Sequence, residues 1–328
     1  MARPPQVSTI AAGRPFLDTL AAGLLHRAGD APEALADTLV LLPTRRACRA
    51  LVEAFLRVGD GRPLILPDIR PLGDVEEEAL ALSFGAGAAD LDLPPVMPEP
   101  RRRLLLARLV AGWKGRQEPV TPDQAVRLAS ELAHLLDEVQ TERLDFADLS
   151  ALVPTEYAAH WQETIEFLKI VTENWPAILA DEGCLDPAER RNRLLEAQAA
   201  RWRDLPPDTP VLAAGSTGSI PATADLLDVV ARLPAGEVVL PGLDPMLDSE
   251  SLIEARGDPA HPQFGMLRLL KRLGIDAAAV AEWDGGPESP AMACATERVR
   301  LAAETLRPAE SSIRTSQRAS SAATRRAS

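Results

Sequence analysis

The chain has 328 residues, 46% of them hydrophobic, and a formal net charge of −13. Its length leaves room for two domains, and its composition is that of an ordinary globular protein. The charge excludes a surface that attracts polyanions everywhere, so any nucleic-acid contact must come from a local basic patch. Cys48, Cys184 and Cys294 lie far apart with no C-x-x-C pair. That spacing argues against a zinc site or a disulfide framework and suits a reducing cytoplasm. No apolar run approaches the ~18 residues of a membrane span. Arg14 and Asp18 interrupt the one candidate signal segment.

In chain order, "VSTI" predicts a strand from Val7, followed by a helix from about Arg14 to His26. A second strand, "TLVLLPT" (Thr38 to Thr44), precedes a helix from about Arg45 to Val58. "LILPDIRPL" is a third apolar run, and a helix is expected over Val75 to Leu82. Strands alternating with helices point to a parallel sheet covered on both faces. After the Pro/Gly-rich "GAGAADLDLPPVMPEP", the pattern is helical from Arg101 to about Trp202. Alternation then returns with "VLAAG", a helix from Ile220 to Leu233, "EVVLPGLD", and further helices. The economical reading is a helical block inserted between two halves of an α/β sheet. The expected divisions are 1–95 and 207–310 for the two halves, 96–206 for the insertion, and 311–328 for a tail. Ser311 to Ser328 holds four arginines, six serines and no acid. Such a segment cannot bury enough apolar surface to offset its ordering entropy, so it reads as disordered, or as the misframed end of a longer gene.

Two loops have the outline of phosphate sites. A Walker A sequence, G-x-x-x-x-G-K-[ST], needs a lysine on the β/γ-phosphates and a hydroxyl on Mg²⁺. Counted from Gly13, those positions hold Asp18, Thr19 and Leu20, and the Asp18 carboxylate is expected to point at the phosphate's place. The run from Val211 ends in Ala213, Ala214 and Gly215, where a Walker B strand would end in a metal-binding acid. "GSTGSIPAT" then reads as a turn plus helix cap, with Ser219 as N-cap and Pro221 in the first turn. It is no nucleophile elbow, because G-x-S-x-G would need serine at Thr217.

"DEVQ" (Asp137 to Gln140) looks like a helicase acid box, yet Val126, Ala129, Leu132, Leu136 and Val139 recur at helical spacing. On a helix these acids read as a solvated face. Glu131 and His134 have the spacing of half a di-iron site, but the second pair, Glu156 and His160, is wrongly spaced, so no metal is expected. Tyr157, Trp161, Ile165, Leu168, Val171 and Trp175 form a stripe that reads as core. One basic feature stands apart. "LLPTRRACRAL" sets Thr44, Arg45 and Arg46 at the carboxyl end of the second strand and the start of a helix, where phosphates bind in open α/β sheets. A solvated helix start is the alternative. Arg70, expected in the turn after the third run, extends the same candidate patch. Strands one and two are expected side by side, which would join the Gly13 and Thr44 turns at one edge.

Taken together, "GRPFLDTLAAGLL", "LVLLPTRRACRAL", "IRPLGD", "ELAHLLDEVQTE", "HWQETIEFLKIVTENWP" and "LAAGSTGSIPATADLL" resemble, in that order, the AddB family in its alphaproteobacterial form. AddB is the second subunit of the AddAB helicase–nuclease of double-strand break repair, and the resemblance runs from about Val7 to Pro308. It implies a RecA-like (P-loop-type) parallel sheet with a helical insertion, AddA as partner, and single-stranded DNA as ligand. Many members lack a working motor. The family's iron–sulfur cluster and nuclease magnesium lie in a C-terminal region that the resemblance does not reach, so no cofactor or catalytic residue is expected here. "LLPTRRACRAL" matches the region of helicase motif Ia, which gives Thr44, Arg45 and Arg46 a DNA-backbone role by resemblance. The expected function is a non-catalytic, helicase-like region of a repair subunit. The alternatives are an active ATP-dependent helicase or exonuclease, and a helical scaffold that only binds AddA.

Overall fold

The computed structural model describes residues 4–29, 33–59, 63–72, 93–113, 120–144, 167–244, 255 and 257–284. The expected helix over Val75 to Leu82, the tail from Ser311, and Tyr157, Trp161, Ile165, Glu156, His160 and Cys294 lie outside the described residues. The chain divides into two compact units, one from within 1–74, 199–219 and 223–328, the other from within 75–198 and 220–222. The break points at 74/75 and 198/199 both precede the boundaries expected from the sequence.

The first unit is built on an all-parallel sheet of β1 (Val7–Ile10), β2 (Leu39–Leu42), β3 (Asp68–Pro71), β4 (Val211–Ala214), β5 (Gly236–Pro241) and β6 (Ala281–Glu282). Val40, Leu41 and Leu42 are all buried, as are all four residues of β4. Such unbroken burial belongs to strands covered on both faces. The covering helices are α1 (Phe16–Ala28), the short α2 (Glu33–Ala36), α3 (Arg45–Val58), α8 (Pro221–Arg232) and α9 (Phe264–Leu273). The α/β class with a parallel sheet is therefore as expected.

The strand order is not. It runs β3-β2-β4-β5-β1-β6, so β4 and β5 separate β1 from β2. Register pairs Leu39 with Val211 across β2 and β4, and Val7 with Val238 across β1 and β5. The reason is that a crossover's handedness is fixed but the number of strands it steps over is not. Right-handed crossovers put α1 and α3 on one face, where Arg57 of α3 binds Asp18 of α1 at 2.6 Å.

A second departure is β6, which the sequence reading assigned to helix. Two residues are too short to carry a period, and tertiary contacts fix them instead. Ser8 pairs with Ala281, and Trp283 just beyond donates its backbone N–H to Thr9 O (2.8 Å) and its indole N–H to Thr19 O (3.2 Å). Trp283 is 2% exposed and lies against Gly23 of α1. A Cβ at Gly23 would come within 2.2 Å of the indole nitrogen, so only glycine admits the ring there. Arg27 stacks over the same ring, 3.9 Å from its centroid, while bonding Glu237.

The second unit contains α4 (Glu99–Gly112), α5 (Pro122–Glu142), a π-turn (Ile170–Asn174), α6 (Trp175–Glu182) and the first part of α7 (Pro187–Asp204). Pro122 opens α5, and the Thr121 N–H is satisfied by Gln124 Oε1 at 3.2 Å. The buried stripe of α5 is Ala125, Ala129, Leu132, Ala133 and Leu136. Val126, expected in that stripe, is 50% exposed. Val171 and Trp175 are buried and Leu168 packs against them, the core role expected of the described part of that stripe.

Candidate nucleic-acid interface

Because every strand is parallel, the loops after β1, β2, β4 and β5 leave the sheet at one edge. The β2 exit is short: Pro43, then Thr44 as N-cap of α3. Thr44 is extended (φ −144°, ψ 156°), and its hydroxyl accepts a hydrogen bond from the Ala47 N–H at 3.1 Å. The first turn of α3 holds no acid. Its buried side is Leu51, Ala54 and Phe55. Arg46 and Arg49 are exposed and Arg45 is half-buried. A helix with this apolar face must turn residues 46 and 49 to water together, because positions three apart are neighbours on a helix. Arg49 was not among the sequence candidates, and the 3.6-residue period was the signal that could have found it. The positive end of the helix dipole and two exposed guanidiniums make this end of α3 attractive to anions.

Arg70 does not join them. It lies within β3, paired in register with Leu41, rather than in a turn after the run. Its guanidinium makes a bidentate ion pair with Asp68 two residues back, so its charge is matched locally. A strand residue and its i+2 neighbour share a face, which made this pairing foreseeable.

The β1 exit is unlike a phosphate cradle. Five residues, Ala11 to Pro15, separate β1 from α1, and the Arg14 N–H closes a turn onto Ala11 O at 3.2 Å. Pro15 is the N-cap, contributes no N–H, and makes no side-chain cap bond. The expectation that Asp18 points at a phosphate's place is corrected: Asp18 faces α3 and accepts from Arg57 Nε and Nη2 (3.1 and 2.6 Å). Thr19 is buried, and Gly13 is exposed. The neighbouring β5 exit is internally bonded. Gln263 bridges Gly242 O (3.1 Å) and the Asp244 N–H (3.3 Å), and Thr9 Oγ1 accepts from the Leu243 N–H (3.1 Å).

The expected meeting of the Gly13 and Thr44 turns is also corrected by the strand order. Beside Thr44 is instead the loop after β4, because β2 pairs with β4. Gly215 to Ile220 form that loop, and Ser216 Oγ accepts from the Gly218 N–H at 3.3 Å. Pro221 opens α8 as expected.

In the helical unit Glu138 of the acid box is exposed, as expected of a solvated face, while Asp137 is only partly so. Asp137 binds the buried guanidinium of Arg102 through two bonds (2.9 and 3.1 Å), and Gln140 donates to Asp186 Oδ2 at 2.8 Å. Arg102 also meets Asp186 Oδ1 at 2.9 Å, and the Trp175 indole donates to Asp186 Oδ2 at 2.8 Å. Burial disfavours the Arg102 charge, but the Asp137 hydrogen bonds and the carboxylates of Asp186, Asp137 and Glu99 outweigh it and hold the guanidinium more firmly protonated than usual. His134 is exposed and pairs with Glu138 at 3.3 Å, away from any ligand set with Glu131. Among the described residues no group of three or more His, Cys, Asp or Glu could hold a metal ion. No described helix is long and apolar enough to cross a membrane. Compared with known proteins, the chain matches no protein-family model and no curated protein.

Proposed function

We propose that this chain is a non-catalytic, helicase-like region of a DNA double-strand break repair subunit, of AddB type, that engages single-stranded DNA beside AddA. The observation that carries the reading is the acid-free start of α3, where Thr44, Arg45, Arg46 and Arg49 open a helix at the carboxyl edge of a parallel sheet. The six ordered sequence segments supply the family, and the sheet order β3-β2-β4-β5-β1-β6 suits a RecA-like core. A five-residue β1 exit without lysine, and a β4 ending in Ala213 and Ala214, support a region without a motor.

In this reading Thr44 and the backbone N–H groups at the start of α3 bond a phosphate oxygen, while the arginines supply charge. The net charge of −13 opposes approach, so binding by this chain is weak and strongly salt-dependent. The test is a salt titration of single-stranded DNA binding, preferably with AddA present. Changing Arg45 and Arg46 together to alanine is expected to lower the slope of log K against log salt by roughly 1 to 1.5, at about 0.7 per phosphate contact. Equal slopes and affinities would leave the two arginines as ordinary surface residues.

A further inference from the structure

We infer that Phe16 is a positioning residue for the Thr44–Arg46 turn: its ring sits where a phosphate loop would hold nucleotide and fixes the turn with no nucleotide present. This rests on the DNA-engaging reading of α3. The ring stands where the exits of three strands meet. Phe16 is the first residue of α1, immediately past the β1 loop, and Pro43 immediately precedes Thr44. Gly215, the first residue past β4, has φ +77°. A Cβ built there would lie 3.2 Å from Phe16 Cε1, 3.6 Å from Phe16 Cζ and 3.6 Å from Pro43 Cδ. The ring and the proline thus flank one point on the β4 exit, where glycine suits the positive φ and an added Cβ would push the ring by a few tenths of an ångström. Phe16 also packs on the core cluster that contains Leu42 and Ala214, the last residues of β2 and β4.

A phosphate ligand holds its loop only while bound, and its charge state changes on hydrolysis. An aromatic ring is permanent and uncharged. Packed between the β1 exit and the β2–β4 pair, it keeps the Thr44 cap in one arrangement, so DNA engagement by this region is independent of ATP. The polar groups of the neighbouring β5 exit are satisfied by Thr9 and Gln263, and Phe16 joins α1 to the core cluster beneath the DNA-facing turn.

The experiment uses the full chain and the variants Phe16→Ala, Phe16→Leu and Gly215→Ala, each checked for folding by circular dichroism. Two readouts are taken, the salt slope of single-stranded DNA binding and hydrogen exchange of the Ala47 and Cys48 amides, which are bonded to Thr44. Phe16→Ala is expected to lower the slope by about 0.7, one phosphate contact, and to speed exchange at Ala47 and Cys48 but not at Leu51. Phe16→Leu should restore both. Gly215→Ala, which pushes the ring away without removing it, should act as Phe16→Ala does and serves as the test if that variant does not fold. ATP at millimolar concentration should alter neither readout in the wild type. Unchanged slope and exchange in folded Phe16→Ala, or an ATP-dependent slope in the wild type, would overturn the inference. If the Arg45/Arg46 double variant binds DNA like the wild type, the DNA reading fails on its own. The exchange at Ala47 and Cys48 then decides whether Phe16 positions the turn.

Discussion

The two units bury different kinds of side chain. In the sheet unit the core is Ile10, Val40, Leu42, Leu212, Ala214 and Val239 with Phe55 and Trp283, and its buried polar groups are largely hydroxyls such as Ser8 and Thr9. In the helical unit Arg102 and Asp186 are 1% and 0% exposed, with Arg190, Asn192 and Gln198 also buried. The difference follows from how each satisfies its backbone. A parallel ladder joins neighbouring strands by backbone hydrogen bonds, so its side chains need only present matching apolar faces. Helices satisfy their own backbones, and nothing in the ladder says which helix lies beside which. Here Arg102 of α4 reaches Asp137 and Ala133 O of α5 and Asp186 before α7, which ties three segments by directed bonds.

The comparison breaks most visibly at Arg102. Replacing it by leucine leaves the buried Asp186 carboxylate without its guanidinium, and removing one partner of a buried pair costs about 3–5 kcal/mol. Hydrogen exchange should show amides of α4 to α6 losing protection while those of β4 and β5 keep theirs. Equal loss in both units would show that they do not differ in this way.

The sheet unit should be sensitive to volume rather than charge. Gly23→Ala places a Cβ 2.2 Å from the Trp283 nitrogen and 2.5 Å from Asp284 O. Overpacking of this kind costs about 1–3 kcal/mol, read as a lower denaturant midpoint with unchanged m. A midpoint equal to wild type would mean that Trp283 is not held as tightly as its contacts imply.

The smallest effect sharpens the contrast between buried and surface ion pairs. Arg101 on α4 bonds Glu182 on α6 at 2.7 and 2.9 Å, and that hydrogen bond holds the Glu182 carboxyl below its ordinary range. A depressed folded-state pKa adds stability above the ordinary carboxylate range, and that stability is lost as pH falls through the folded value. Glu182→Gln should therefore lower the melting temperature slightly at neutral pH and converge with the wild type in acid. A difference that grows as the pH falls would reverse the assignment.

Much of the sheet unit was legible because its signals are local. Arg45 to Val58 was expected as a helix from its period and is one to the residue, since Thr44 caps its start and an apolar face runs along it. The helical unit was less so. Asp137 looked solvated because sequence spacing places it on a face but does not say that Arg102 lies opposite. Arg70 looked like part of a basic patch because it was placed in a turn after the run; once it lies within β3, the i+2 spacing puts Asp68 on its face.

The α/β class and the acid-free start of α3 can be read from residue order, and so can a first loop that lacks a Walker lysine. Each depends on residue type at a local spacing. Tertiary structure alone decided that β4 lies beside β2, that Phe16 and Gly215 therefore meet at the turn before α3, and that Trp283 closes onto Gly23. Strand order is a property of the whole sheet, since handedness leaves open how many strands a crossover steps over, and no window of sequence contains that information.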